Sequence, residues 1–334
     1  MLVYHPDYHR HLQTPNHVES PKRLDAIIHK LEAEGLLADW LIPLPAEESI
    51  VRQVHRPEYV DFLKNLGEGY LDTDTYVRRE TYDLALLSAG GAVAAGRYAE
   101  ESGKPAFALI RPPGHHAGPD YGGGFCYLNN VAIAATDLLQ RVERVAILDY
   151  DAHHGNGTEH LFQENPNVLY VSTHQYGIFP GTGAAESVGE GKGRGHMVNV
   201  PFPARAGDTS YELAYRQVIE PIVERFKPSV ILVSFGVDAH YKDPITSLTL
   251  SSPGYTRLCG WTLEMARKVC NGRLAFVLEG GYHPTAISEV VAGTVAVMAG
   301  SSIHLQYSEV YDTRERGREA VERTWKVQRE FWNL

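Results

Sequence analysis

Cysteine is scarce in this chain, and the three present, Cys126, Cys259 and Cys270, form no CxxC or Cys/His spacing. An odd number of thiols so placed points to reduced cysteines of an intracellular protein rather than to a disulfide framework. No apolar run approaches the roughly 20 residues that a membrane-spanning helix needs. The first residues, MLVYHPDYHRHLQ, carry no apolar signal core, so the expected setting is cytoplasmic with no membrane partner. Positive charge is in deficit as well: 41 acidic residues outnumber 31 basic ones, for a net charge of -10. That balance argues against nonspecific nucleic-acid binding, and acids gathered near a cleft would favour a cationic ligand. Repeats and low-complexity tracts are missing too.

What the chain does have is an ordinary globular balance, 43% hydrophobic and 22% charged over 334 residues, enough for a sizeable core. Its middle repeats one pattern: a short aliphatic run, a polar or glycine-rich loop, then a helical stretch. The runs are FALIR (107–111), VAILDYD (145–151), VLYVSTH (168–174), SVILVSFGVD (229–238) and LAFVLEGG (274–281), with helix-period segments at 129–141, 210–226 and 252–271. Runs that are apolar throughout suit parallel strands covered on both faces. The expected fold is a single-domain, doubly wound α/β/α sandwich of three layers over 1–334, with the site in the loops at the strand C-termini. The glycine- and charge-rich segment 189–196 reads as a loose surface connection. Residues 308–332, with Val321, Trp325 and Trp332 among Arg and Glu, read as an amphipathic helix packed on the body or on another subunit, so an oligomer is open.

The polar residues at the strand ends carry the chemistry. In VAILDYDAHHG, alternation along a strand throws Asp149, Asp151 and His153 to one side, and Tyr150 and His154 elsewhere. Asp238 ends a second apolar run, and Tyr282 follows two glycines that end a third. Asp151, His153 and Asp238 together offer two carboxylates and one imidazole, a donor set for a catalytic divalent ion with a position left open for water. Zinc and ferrous iron both suit it. The plainer alternative makes Asp151 and Asp238 helix or turn caps and His153 a hydrogen-bonded core residue.

The segments RPPGHHAG, GGGFCYLNN, LDYDAHHGNG, FPGTG, GVDAHYKDP and LEGGY stand here in the order they have in the histone deacetylase superfamily, and HVESPKRLDAI and VHRPEYVDFL resemble its N-terminal segments. The resemblance, closer to the class II branch, implies a metal-dependent deacetylase with the arginase-like fold and a mostly parallel sheet of about eight strands. It places zinc on Asp151, His153 and Asp238, and the tandem catalytic histidines on His115 and His116, oriented by Asp149 and Asn156 respectively. The transition-state tyrosine is Tyr282. A monovalent cation, usually potassium, falls to Asp149, Asp151, His153, Ser172 and the main-chain oxygen of Thr173. Gly124, Phe125 and Phe179 become substrate-tunnel residues, and Arg23 lines an inner cavity below the metal. On this reading the two histidine pairs differ in role: His116 is the general base, His115 its electrostatic support, His153 a ligand and His154 structural. Because Asn156 is neutral where some relatives carry Asp, His116 is left more available as a neutral base.

Substrate choice turns on KDPITSL. The polyamine-specific branch has glutamate after this Asp-Pro, and this chain has Ile245, which favours acyl-lysine over acetylated polyamine unless Asp72 and Asp74 supply the missing charge. Two other classes compete with an amidohydrolase: a non-catalytic acyl-lysine binding protein, and a ureohydrolase of the arginase-like fold with a two-metal site.

Overall fold

Strands that lack polar alternation must be covered on both faces, and the chain builds such a sheet. The structure, a computed structural model, describes residues 1–37, 40–312 and 314–334. Eight strands, β1 (Leu2–Val3), β2 (Trp40–Leu41), β3 (Ala106–Ala108), β4 (Val145–Asp149), β5 (Val168–Gln175), β6 (Met197–Phe202), β7 (Val230–Phe235) and β8 (Leu274–Leu278), form one sheet in the order β2-β1-β3-β8-β7-β4-β5-β6. Every pairing in it is parallel. The residues of β4, β5, β7 and β8 are all buried, which is why these runs read as continuously apolar. Helices Thr81–Ser102 and Asn130–Leu139 pack together over the sheet, and Lys22–Ala33, Ser252–Cys270 and Pro284–Met298 form the other helical layer. The three-layer α/β/α architecture is the one expected.

Parallel strands put all their C-terminal ends at one edge of the sheet, and the order of the strands decides which loops meet there. β8, β7 and β4 are neighbours at its centre. Their following loops, which begin at residues 279, 236 and 150, therefore converge although up to 129 positions separate residues that touch.

The C-terminal helix spans Arg314–Gln328 rather than 308–332, and residue 313 lies outside the described residues. Val321 is fully buried, the Thr324 hydroxyl donates to the Asn199 carbonyl at 2.7 Å, and the Gln328 amide donates to that of Met197 at 2.9 Å. The helix thus covers β6, an outer strand of the sheet, against pairing with another chain. Segment 189–196, expected to be loose, is pinned: Glu190 N–H donates to Gln163 O at 2.6 Å, and the Trp332 indole donates to Gly195 O at 2.9 Å. No helix among the described residues is long and apolar enough to cross a membrane.

Candidate active site

β4 ends at Asp149, so strand alternation places only that residue; a bend, not the strand, delivers Asp151 and His153. Carboxylates stitch the bend to its neighbours. Asp149 accepts the Asp151 N–H at 3.1 Å, Asp238 the Ala152 N–H at 2.7 Å, and Asp151 the Gly280 N–H at 2.9 Å. The approach at Gly280 is close: a Cβ there would lie 2.7 Å from both Asp151 Oδ2 and Asp238 Oδ2. Only glycine lets the β8 loop reach the two acids.

Asp151, His153 and Asp238 each point one donor atom into a common space, all within 4.8 Å of one another. His153 Nδ1 lies 2.8 Å from Asp238 Oδ2 and 3.2 Å from Asp151 Oδ1. Burial, reinforced by the neighbouring Asp151 carboxylate, pushes Asp238 up to about 6. Burial disfavours charge on His153, yet the Asp238 and Asp151 carboxylates hold its imidazole up at about 10. Two buried acids crowded on one imidazole are relieved by a positive charge at their centre, so this donor set fits a divalent cation. The capping alternative fails for Asp151: the helix Asn156–Phe162 starts at Gly155 with no side-chain cap.

The earlier pair lies alongside. His115 and His116 have ring centroids 4.0 Å apart and are 3% and 5% exposed. His115 Nδ1 donates to Asp149 Oδ2 at 3.1 Å, and the Tyr170 hydroxyl donates to the same oxygen at 2.9 Å. His116 Nδ1 donates to Asn156 Oδ1 at 2.8 Å, while the Asn156 amide nitrogen donates to the Tyr121 hydroxyl at 3.2 Å and so orients the side chain. The outcome for charge is opposite in the two rings. Burial opposes the imidazolium in both, but Asp149, Asp151 and Glu279 hold His115 up at about 10. His116, buried beside His115 and His153 with a neutral amide as partner, is driven well below its ordinary value. His154 turns away: Nδ1 meets the Thr182 hydroxyl at 2.7 Å, Nε2 meets Glu159 at 3.1 Å, and its ring lies 4.8 Å from that of His174.

Gly124, Phe125, Phe179, Ile245 and Tyr282 line one cleft of about 720 Å³ with His116 and His153 at its floor. Gly124 has φ +54°, and a Cβ on it would stand 2.6 Å from His116 and 2.7 Å from Phe179, so bulk here would close the way in. Phe179 meets His116 edge-on at 4.9 Å, and Phe125 meets Tyr282 at 5.7 Å. Ile245 stands 39% exposed at the rim. Tyr282 also borders a second cavity of about 520 Å³, shared with Arg23. Arg23 is buried, its guanidinium 5.2 Å from the Tyr282 ring centre, donating to the Gly281 carbonyl at 2.7 Å, to the Glu279 carbonyl and to Glu19 at 3.2 Å. A surface salt-bridge role for Arg23 is thereby excluded. Ser172 sits beside Asp149 in the β4–β5 register; its hydroxyl contacts His174 at 2.8 Å, and the Thr173 hydroxyl donates to the Asp149 carbonyl at 3.3 Å. Both are fully buried.

Four positioning residues escaped the sequence reading. Asp72 accepts the N–H groups of Gly124 and Thr75, each at 2.7 Å. Asp243 accepts those of Tyr282 at 2.8 Å and Ile245 at 3.0 Å. Glu279 accepts those of Gly114 at 2.7 Å and His115 at 3.2 Å, and Tyr170 holds Asp149. Each acts on a backbone amide or a neighbouring acid distant in sequence, so motif spacing carries no sign of the contact; only the place of Asp243 and Glu279 inside quoted motifs hinted at them.

Known proteins bear on this constellation directly. The family model described as the histone deacetylase domain matches residues 17–298. The chain belongs to the histone deacetylase family. Among its relatives, a probable deacetylase of Archaeoglobus fulgidus is 46% identical over 308 residues, covering 90% of this chain and 86% of that protein. A histone deacetylase-like amidohydrolase of Pseudomonas aeruginosa is 39% identical over 277 residues, covering 80% and 72%. The crystal structure of the HDA15 HD domain superposes with a TM-score of 0.89 at 32% identity, covering 99% of this chain and 96% of that one. Histone deacetylase membership makes the chain a deacetylase hydrolase.

Proposed function

We propose that this chain removes acetyl, or other acyl, groups from the lysine side chains of proteins or peptides, as one catalytic domain over 1–334. The observation that carries the reading is that His153, one of three clustered donors, and His116, one of the stacked histidine pair, line the same cleft. Asp151, His153 and Asp238 would hold a divalent ion, zinc or ferrous iron, which when bound would supply Lewis-acid polarisation at the amide carbonyl and at water. Neutral His116, its Nδ1 fixed by Asn156, accepts the proton of the attacking water at Nε2 and returns a proton to the departing amine. His115, positive and paired with Asp149, favours the negative charge that develops beside it. The Tyr282 hydroxyl donates to the carbonyl oxygen as that oxygen becomes an oxyanion. Phe125 and Phe179 flank the apolar lysine stem, Gly124 lets it pass, and the cavity shared by Arg23 and Tyr282 receives the small carboxylate product. Asp149, Asp151, His153, Ser172 and the Thr173 main chain are the place for a potassium ion, which would offset the buried Asp149 charge. Buried free cysteines suit a reducing, cytoplasmic setting.

At the rim, Ile245 favours acyl-lysine over a second ammonium, since an aliphatic side chain offers an ammonium no partner to replace water. Asp72 and Asp74 line the same cleft and support the second reading, an acetylpolyamine deacetylase; yet Asp72 is engaged by backbone amides. The test is a screen of purified, zinc-loaded protein on acetyl-lysine peptides, longer acyl-lysines and acetylspermidine. Turnover of an acyl-lysine peptide is expected, and Ile245→Glu is expected to move the kcat/KM ratio about tenfold toward acetylspermidine, ~1.4 kcal/mol of discrimination. Wild-type preference for acetylspermidine over every peptide would overturn the substrate assignment, and hydrolysis of none would favour a non-catalytic acyl-lysine binder.

A further inference from the structure

A second group of metal-binding side chains lies deeper, outside the Asp151/His153/Asp238 set. His115, Cys126 and Glu279 place an imidazole nitrogen, a thiol sulfur and a carboxylate oxygen within 4.8 Å of one another, and are 3%, 0% and 0% exposed. Three separate segments bring them together: the loop after β3, the turn around Gly123–Cys126, and the loop after β8. Each keeps coordinating capacity unspent. With Nδ1 of His115 occupied by Asp149 at 3.1 Å, Nε2 is free, its carboxylate neighbour Asp151 standing 3.8 Å away. The Cys126 sulfur donates one long hydrogen bond, 3.5 Å to the Gly124 carbonyl, and meets the His116 backbone amide, while Glu279 Oε1 has a marginal contact, 3.4 Å from the Ser234 hydroxyl.

The chemistry selects the ligand. Thiolate, carboxylate and neutral imidazole carry two negative charges, which balance a divalent ion in a site closed to solvent. A sulfur donor excludes the hard cations magnesium and calcium and favours zinc, cobalt or cadmium. Tetrahedral coordination at the usual zinc–sulfur and zinc–nitrogen or –oxygen lengths sets the donors about 3.3–3.6 Å apart. The three donors, now within 4.8 Å of one another, would close to that range on binding an ion. We propose that His115, Cys126 and Glu279 form a second, inhibitory site for a borderline-soft divalent ion. Coordination through Nε2 withdraws His115, whose ring lies 4.0 Å from that of His116, from the reaction while leaving the first ion in place. This rests on the role given above to the Asp151/His153/Asp238 ion.

The test starts from full-length protein carrying one equivalent of zinc. Added cobalt is expected to bind at a second equivalent, to give the near-ultraviolet thiolate-to-cobalt charge-transfer absorption, and to lower turnover at least tenfold. Cys126→Ser and Cys126→Ala are expected to keep the one-zinc activity and to lose both the sulfur band and the inhibition. Asp238→Ala separates the two sites: it loses the first ion and activity, yet keeps the cobalt–sulfur band, so failure of the first assignment leaves the second readable. A wild-type protein that binds one ion only, or whose second ion gives no sulfur band, would overturn the proposal, as would inhibition that persists unchanged in the Cys126 variants.

Discussion

The two histidine pairs look alike in sequence, each adjacent residues just after an apolar run, and differ in where their rings point and in what those rings meet. In the earlier pair the rings lie 4.0 Å apart, and their far partners, the Asp149 carboxylate for one and the Asn156 amide for the other, split them into a cation held near 10 and a base driven down by burial. In the later pair the rings part: His153 turns into the acids, and His154 turns out toward Thr182 and Glu159. The difference teaches that the partner on the second nitrogen, not the histidine, sets the role.

The sharpest way to break the contrast is to remove an acid from His153. Asp238→Ala is expected to lose the bound divalent ion and all turnover above background, measured by metal content per chain and by assay; retention of both would leave His153 no more a ligand than His154. His116→Ala is next, with a loss of about 10²–10⁴ in kcat while metal content stays at wild type; a drop in metal instead would merge the two pairs. Tyr282→Phe removes a donor without touching either pair and is expected to lower kcat by roughly 10²–10³ with little change in KM. A near wild-type kcat would make Tyr282 a packing residue.

His154→Ala is expected to leave turnover within a few-fold and to cost stability, about 1–3 kcal/mol, because it strands the Thr182 and Glu159 partners. Denaturant unfolding alongside the assay checks it, and a collapse of kcat at unchanged stability would contradict it. The smallest change is Asn156→Asp. A carboxylate there stabilises the imidazolium of His116 and raises its pKa; since the protonated ring cannot accept a proton, the acid limb of kcat/KM is expected to move to higher pH. An unmoved limb would show that another group titrates there.

Much of the site was legible because its residues are chemically unusual where they stand. Acids and histidines abutting runs such as VAILD have no ordinary reason to be there, and the chain order of RPPGHHAG, LDYDAHHG and LEGGY marked the family. Alternation along β4 places Asp149 but not Asp151 and His153, since β4 stops at Asp149 and hydrogen bonds through the bend do the placing. Arg23 could not be told from a surface arginine, because its burial comes from carbonyls some 256–258 positions away.

From sequence alone, the apolar runs determined a parallel sheet covered on both faces, the residue types at the strand ends offered a donor set suited to a cation, and the order of the motifs marked a deacetylase family, because hydrophobic continuity, donor chemistry and motif order are all written along the chain. Strand order is not local. It took the placement of β8 and β7 beside β4 to bring Asp238, Gly280 and Glu279 against Asp151 and His115. Backbone amides supplied by loops remote in the chain then set the positions of the acids, and burial with those neighbours, rather than any motif, decided which histidine carries charge.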